Sequence, residues 1–427
     1  MKNQLKKIIA VVLSVGLILS AASCMMMPTT QNGGNTTSSS KRESSRKKKD
    51  SSKSSKDSSK SDDEDDSSEE ETDYSELVDF VVEVDSTRNA RVLQITDTQI
   101  IDWTQGEPGE VSMIYDPAKV EEFCYRYIRQ VVDRYDPDLI LMTGDNVYGK
   151  FDDDGSMLTG LIEFMETLDT PWAPIFGNHD NESAMGVDWQ CEQYENAENC
   201  LFKQRELTGN GNYSVGIVQG EKLQRVFFML DSNGCASPSE ATLQNTHFRR
   251  GFGFGNDQIE WYEGVAEEIK EVSPKTKFSF AFHAQIDAFR YAYQQYCNYS
   301  VFSPVNLDEN STAQSNGDFG YIGYKASGWD QDGRVWMSIT ETVGADSIFV
   351  GHEHSESASI MYNGVRLQFG QKSSQYDMYN KMVNGEIVSD FEHHGDPILG
   401  GTKITLSKTN GAISGDTGLI LWDPEME

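Results

Sequence analysis

"DLILMTGDN", residues 138–146, decides how the chain is built. Leu139 to Met142 form a short unbroken apolar run, the pattern of a strand covered on both faces, as in parallel sheets sheathed by helices. The run opens at once onto Gly144, Asp145 and Asn146. A strand that stops on a carboxylate either enters a turn or delivers a ligand. The choice depends on whether other strands end the same way.

Working outward, strands and helices alternate. "RVLQIT" (91–96) reads as a strand, and "YDPAKVEEFCYRYIRQVVDRYDP" (115–137) as a helix. Asp116 is its expected cap, Pro117 suits its first turn, and Val120, Phe123, Tyr127, Ile128, Val131 and Tyr135 recur at helical spacing. "GSMLTGLIEFMETL" and "NDQIEWYEGVAEEIKEV" are further helices; "PWAPIF", "RVFFMLDS", "KFSFAF" and "DSIFV" are further strands. "SASIMYNGVRLQFG" is a hairpin around Asn363-Gly364, a type I′ signal. "TKITLS" and "GLILW" supply the last strands. Such alternation predicts an α/β domain, largely parallel at first, with the late hairpin making its sheets mixed. Residues 181–215 and 284–335 lack clear periodicity and read as long loops, the usual walls of a site.

The flanks and the composition narrow the class. "MKNQLKKIIAVVLSVGLILSAASC" (1–24) has a Lys-rich start and an apolar core, then small residues before Cys24. That is an export signal, and its end is similar to a lipoprotein box in which Cys24 carries lipid. Residues 25–75 are a Ser-rich, charged stretch with little to bury, expected to be a disordered tether. The folded domain is expected over 76–427, on the extracellular face of a bacterial membrane. The chain carries a net charge of −32. Residues 73–427 hold all of that excess, 24 Lys and Arg against 57 Asp and Glu. No basic footprint for a nucleic-acid polymer is present. The five Cys beyond Cys24 form no disulfide framework or zinc-finger spacing; pairing of Cys191 with Cys200 stays open.

Five strands end in metal-ligand chemistry: "LQITDTQ" on Asp97 and Gln99, "LILMTGDN" on Asp145, "APIFGNHDNE" on Asn178, His179 and Asp180, "FSFAFHA" on His283, "SIFVGHEH" on His352 and His354. Loops at the carboxyl ends of strands in open α/β sheets converge on one crevice. Four of the seven His stand directly after strands. A single Asp or His there is ordinary; the set is not. His247, His393 and His394 carry no such signal.

The order Asp-x-Gln, Gly-Asp-Asn, Gly-Asn-His-Asp, His, Gly-His-x-His resembles that of the calcineurin-like metallophosphoesterases, and its flanking segments resemble the branch of yeast Dcr2 and purple acid phosphatase-like plant proteins. The resemblance implies a four-layer α/β/β/α sandwich with two mixed β-sheets and a site for two metal ions. It implies Asp97 and His354 on the first ion and Asp145 bridging both. Asn178, His283 and His352 would hold the second, with His179, oriented by Asp180, beside the site as the catalytic group. Two cations about 3.5–4 Å apart would generate hydroxide from water for in-line attack on a phosphate mono- or diester of a small molecule or protein. The donors are nitrogen and oxygen, suiting Mn, Fe, Zn or Co. Gln99 stands where the pattern has His. It is a weaker ligand through its amide oxygen, or it cedes the first ion to Tyr148, or the site is damaged and the chain is a non-catalytic surface lipoprotein that binds.

Overall fold

The computed structural model describes residues 73–105, 120–233, 253–298, 300–301, 303–324, 326, 333–374, 380–384, 386–389 and 396–426. The expected export signal and most of the expected tether lie outside these residues, as do Asp116, Pro117, Cys235, His247, His393 and His394. No helix among the described residues is long and apolar enough to cross a membrane.

Two sheets form the frame. In chain order their strands are β1 (Phe80–Val84), β2 (Ala90–Ile95), β3 (Leu139–Met142), β4 (Trp172–Pro174), β5 (Tyr213–Gln219), β6 (Lys222–Met229), β7 (Lys277–Ala281), β8 (Ser347–Val350), β9 (Ser359–Tyr362), β10 (Val365–Phe369), β11 (Gly400–Leu406) and β12 (Gly418–Leu421). The larger sheet runs β1-β5-β6-β7-β8-β10-β9, and the smaller β12-β11-β2-β3-β4. Both are mixed: β2, β3 and β4 are parallel, as are β6, β7, β8 and β10, while β11 and β9 run antiparallel to their neighbours. Asn363 and Gly364 both take positive φ, as the type I′ turn between β9 and β10 requires.

Helices sheathe the outer faces. α1 (Val120–Tyr135) lies across β2, β11 and β12 with Cys124, Tyr127, Ile128, Val131 and Val132 buried. α2 (Ser156–Glu166) joins it through Phe164, stacked on Tyr125 at 4.3 Å. α3 (Val187–Asn196) follows, and α4 (Asn256–Val272) covers the larger sheet, where Tyr262 meets Phe228 and Phe280. Successive strand residues face opposite ways, so Phe227 turns inward to Phe349 while Phe228 meets α4. The expected four layers are present.

Two expectations need correction. Residues 181–215 and 284–335 are not simple loops, since they contain α3, the start of β5, and α5 (Asp287–Tyr293). α3 hides its period because one of its buried positions is Gln190, whose amide bonds the Asp180 carbonyl. Phe289 and Tyr293 of α5 are buried against Phe369. Cys191 and Cys200 are free thiols, Cys191 donating to Gln204.

The sheets meet through polar contacts as well as apolar ones. Gln94 of β2 donates to Val350 O of β8 at 2.9 Å. Fully buried Arg225 of β6 forks onto Asp346, bonds Ser279 and Ser347, and reaches the Gly411 carbonyl beyond β11. Losing Asp346 would strand a buried guanidinium. Asp346→Ala is therefore expected to cost about 3 kcal/mol in urea unfolding, the low end for a broken buried pair because Asp346 is partly wetted.

Candidate metal centre

The carboxyl ends of five strands, three from the smaller sheet and two from the larger, converge at the seam between the sheets. Main-chain bonds lace them together. Asp97 N–H donates to Gly144 O, Gln99 N–H to Asp145 O, and Gly351 N–H to His283 O. Asp97, Gln99, Asp145 and His352 take left-handed backbone, with φ of 53°, 41°, 52° and 78°. Side-chain-bearing residues rarely do so, and such conformations gather where a fold holds functional groups. The chain after β4 also approaches closely. A Cβ on Gly177 would lie 2.2 Å from both Asp145 N and Asp145 Oδ1.

The predicted residues come together in two groups that share one carboxylate. Ligand atoms of Asp145, His283 and His352 lie within 4.8 Å of one another, and so do those of Asp97, Asp145 and His354. Asn178 completes the first group: its Oδ1 is 3.1 Å from His283 Nε2 and 2.8 Å from His352 Nδ1. His283 Nδ1 meets the Thr143 carbonyl at 2.8 Å, so that nitrogen carries the proton and Nε2 turns to Asn178 and Asp145. His354 Nε2 stands 3.3 Å from Asp97 Oδ1. These nitrogen and oxygen donors fit metal ions: two clusters, a shared bridge, and imidazoles oriented from behind.

The electrostatics agree. Burial opposes charge on both Asp97 and Asp145, yet neighbouring imidazoles hold the two carboxyls below the usual range. Burial would also lower His283, but Asp145 and Asp97 outweigh it and raise it to about 10. Its proton meets the negative charge that a cation would otherwise neutralise. Burial and the neighbouring His283 push His352 down to about 3, leaving a neutral imidazole with a lone pair to give.

His179 sits at the rim. Its backbone N–H donates to Asp145 Oδ1 at 2.8 Å, and its ring stacks on Tyr148 with centroids 3.9 Å apart. Its expected orienter was Asp180; the geometry assigns that place to Glu182, whose Oε2 lies 2.8 Å from His179 Nδ1. Asp180 instead accepts from Val147 N and Gly177 N, and burial together with Asp145 raises it to about 7. Glu182 stands three residues after the His in "GNHDNE", a spacing one helical turn brings together, so the signal was present.

Gln99 is the unexpected position. Its Oε1 accepts from Lys372 Nζ at 2.7 Å, and its Nε2 faces Asp145 Oδ2 at 3.5 Å. Lys372 is 1% exposed and also donates to Asp97 O. It follows an apolar strand in "RLQFGQK", and nothing local marks it as buried.

A close approach makes a sharp prediction. Gly177→Ala is expected to lose about 1–3 kcal/mol in urea unfolding, because the methyl group must displace Asp145. Gly264→Ala in α4, where a Cβ meets nothing within 4 Å, should gain about 0.5–1 kcal/mol.

Comparison with known proteins identifies the family. The family model for calcineurin-like phosphoesterases matches residues 90–356. "Probable inactive purple acid phosphatase 14" of Arabidopsis thaliana is 24% identical over 196 residues, 42% of this chain and 47% of that one. Phosphatase DCR2 of Saccharomyces cerevisiae is 27% identical over 81 residues, 18% of this chain and 14% of that one. The chain spans between 14 and 61% of the length of the curated relatives it matches. Among solved structures, a dimetal phosphatase from Danio rerio aligns with 79% of this chain and 100% of that one at a TM-score of 0.43 and 10% identity. The family match covers more than half of the residues and contains every strand end of the site: the chain belongs to the calcineurin-like phosphoesterases.

Proposed function

We propose that the protein is a metal-dependent phosphoesterase that hydrolyses phosphate mono- or diesters. The observation that carries this reading is Asp145, one carboxylate common to two donor groups. Asp145, Asn178, His283 and His352 would hold one cation, and Asp97, Asp145 and His354 the other, with Gln99 at its edge. Ions so held lower the pKa of water and draw off charge that gathers on phosphoryl oxygens. Mn, Fe, Zn and Co all suit the donors.

The chain's own residues then place and protonate. Glu182 fixes the Nδ1–H form of His179, and the Tyr148 ring holds its plane, so Nε2 is the nitrogen left for substrate. Burial works against a charged His179, but Asp145 and Glu182 prevail and raise its pKa. A protonated imidazole there can give its proton to the leaving oxygen. Export on residues 1–24, a lipid on Cys24 and a tether over 25–75 belong to the same proposal and place the site outside the membrane.

A second reading, a non-catalytic binding protein, draws support from Gln99 and from the word "inactive" in the names of plant relatives. The test is hydrolysis of aryl phosphate mono- and diesters by purified protein supplied with Mn or Fe. Turnover is expected, and His179→Ala should lower kcat by about 10²–10⁴-fold with metal content unchanged. Bound metal without hydrolysis would establish the second reading instead.

A further inference from the structure

We propose that the two cation positions are unequal, and that Lys372 is the positioning residue that makes them so. This rests on the two-cation reading of the site. The position built from Asp145, Asn178, His283 and His352 has four donors aimed inward. The other has three, Asp97, Asp145 and His354, and Gln99 adds no oxygen to it, because its NH2 end is the one that meets the shared Asp145 carboxylate.

The amide cannot simply flip. An ammonium only donates, so the group 2.7 Å from Lys372 Nζ must be the amide oxygen. An ionised carboxylate only accepts, so the group facing Asp145 Oδ2 must be the NH2. The two neighbours enforce the same orientation, and the resulting N–H protons face the carboxylate that both positions share. Turning the amide would set NH2 against NH3⁺ and oxygen against carboxylate.

Other contacts add to the imbalance. Asp97 already accepts the Thr96 hydroxyl on Oδ2 at 2.7 Å and the His352 N–H at 3.1 Å, so part of its carboxylate is spent within the protein. Lys372 donates to the Asp97 carbonyl at 2.9 Å, which sets a fixed positive charge directly behind this position. The charge is held in place: residues 372–374 run alongside the end of β2, with Thr96 bridged to Lys372 and Ser373 N–H donating to Thr96 O. A cation at the Asp97 position therefore meets fewer donors and a buried ammonium. One ion is held tightly and the second weakly, and the second can come and go while the first stays.

The test is an equilibrium titration of the metal-free purified chain with Mn²⁺ alone, free ion being read by its electron paramagnetic resonance signal. The expected result is one ion per chain bound at least tenfold more tightly than a second. Lys372→Met, close in volume and without charge, releases the Gln99 oxygen and should tighten the second ion at least tenfold while leaving the first within threefold. Gln99→His supplies an imidazole with Lys372 retained and should tighten the second ion likewise; it decides the matter if Lys372→Met does not fold. Two ions of equal affinity in the unaltered chain would overturn the inequality, and a second ion that folded Lys372→Met does not tighten would overturn the role of Lys372, either result leaving the two-cation site standing. No bound Mn²⁺ at all would overturn the site itself, and this inference with it.

Discussion

The carboxylate of Asp145 is the constraint on which the rest is arranged. It is fully buried, accepts the His179 N–H, faces His283 and the Gln99 amide, and belongs to both donor groups. A buried anion is costly unless its neighbourhood answers it. Here the answer requires residues from both sheets, so the sheets must bring their strand ends to one place. The left-handed backbone at Asp97, Gln99, Asp145 and His352, and the absence of a side chain at Gly177, are local costs accepted to meet that requirement.

Much of this was legible in the sequence because the signals are local. "DLILMTGDN" states its burial and its ligand within nine residues, and α2 and α4 appear over the residues expected from their periodicity. The convergence of Asp97, Asp145, Asn178, His283, His352 and His354 followed from a general rule about strand ends, together with the number of strands that obey it. The family resemblance carried the same order of motifs.

What escaped notice depends on distance or on polar residues within the core. β1 pairs with β5 across more than a hundred residues, and the Ser, Gly and Gln in "YSVGIVQ" mask a fully buried strand. α3 was lost for a like reason. Lys372 was invisible because a lysine after a strand is ordinarily at the surface. Only the packing of residues 370–374 beside β2 takes it inside, 273 positions away from Gln99. That contact engages the amide oxygen of Gln99. Asp180 and Glu182 show a finer limit: the pattern identified the His, but which of two nearby carboxylates meets it depends on the turn that carries them.

Because the candidate centre straddles the seam between the sheets, an ion that filled it would act as a clamp. An ion held by Asp145 and Asn178 on one side and His283 and His352 on the other would tie the strand ends of the two sheets together. Ligands that bind only the folded form add their binding energy to its stability, about 4 kcal/mol at a thousandfold over Kd. Metal supply would then act as a form of quality control. Chains that never acquire an ion would keep a looser seam and meet proteases sooner, so the surviving population would be enriched in loaded molecules without any dedicated chaperone.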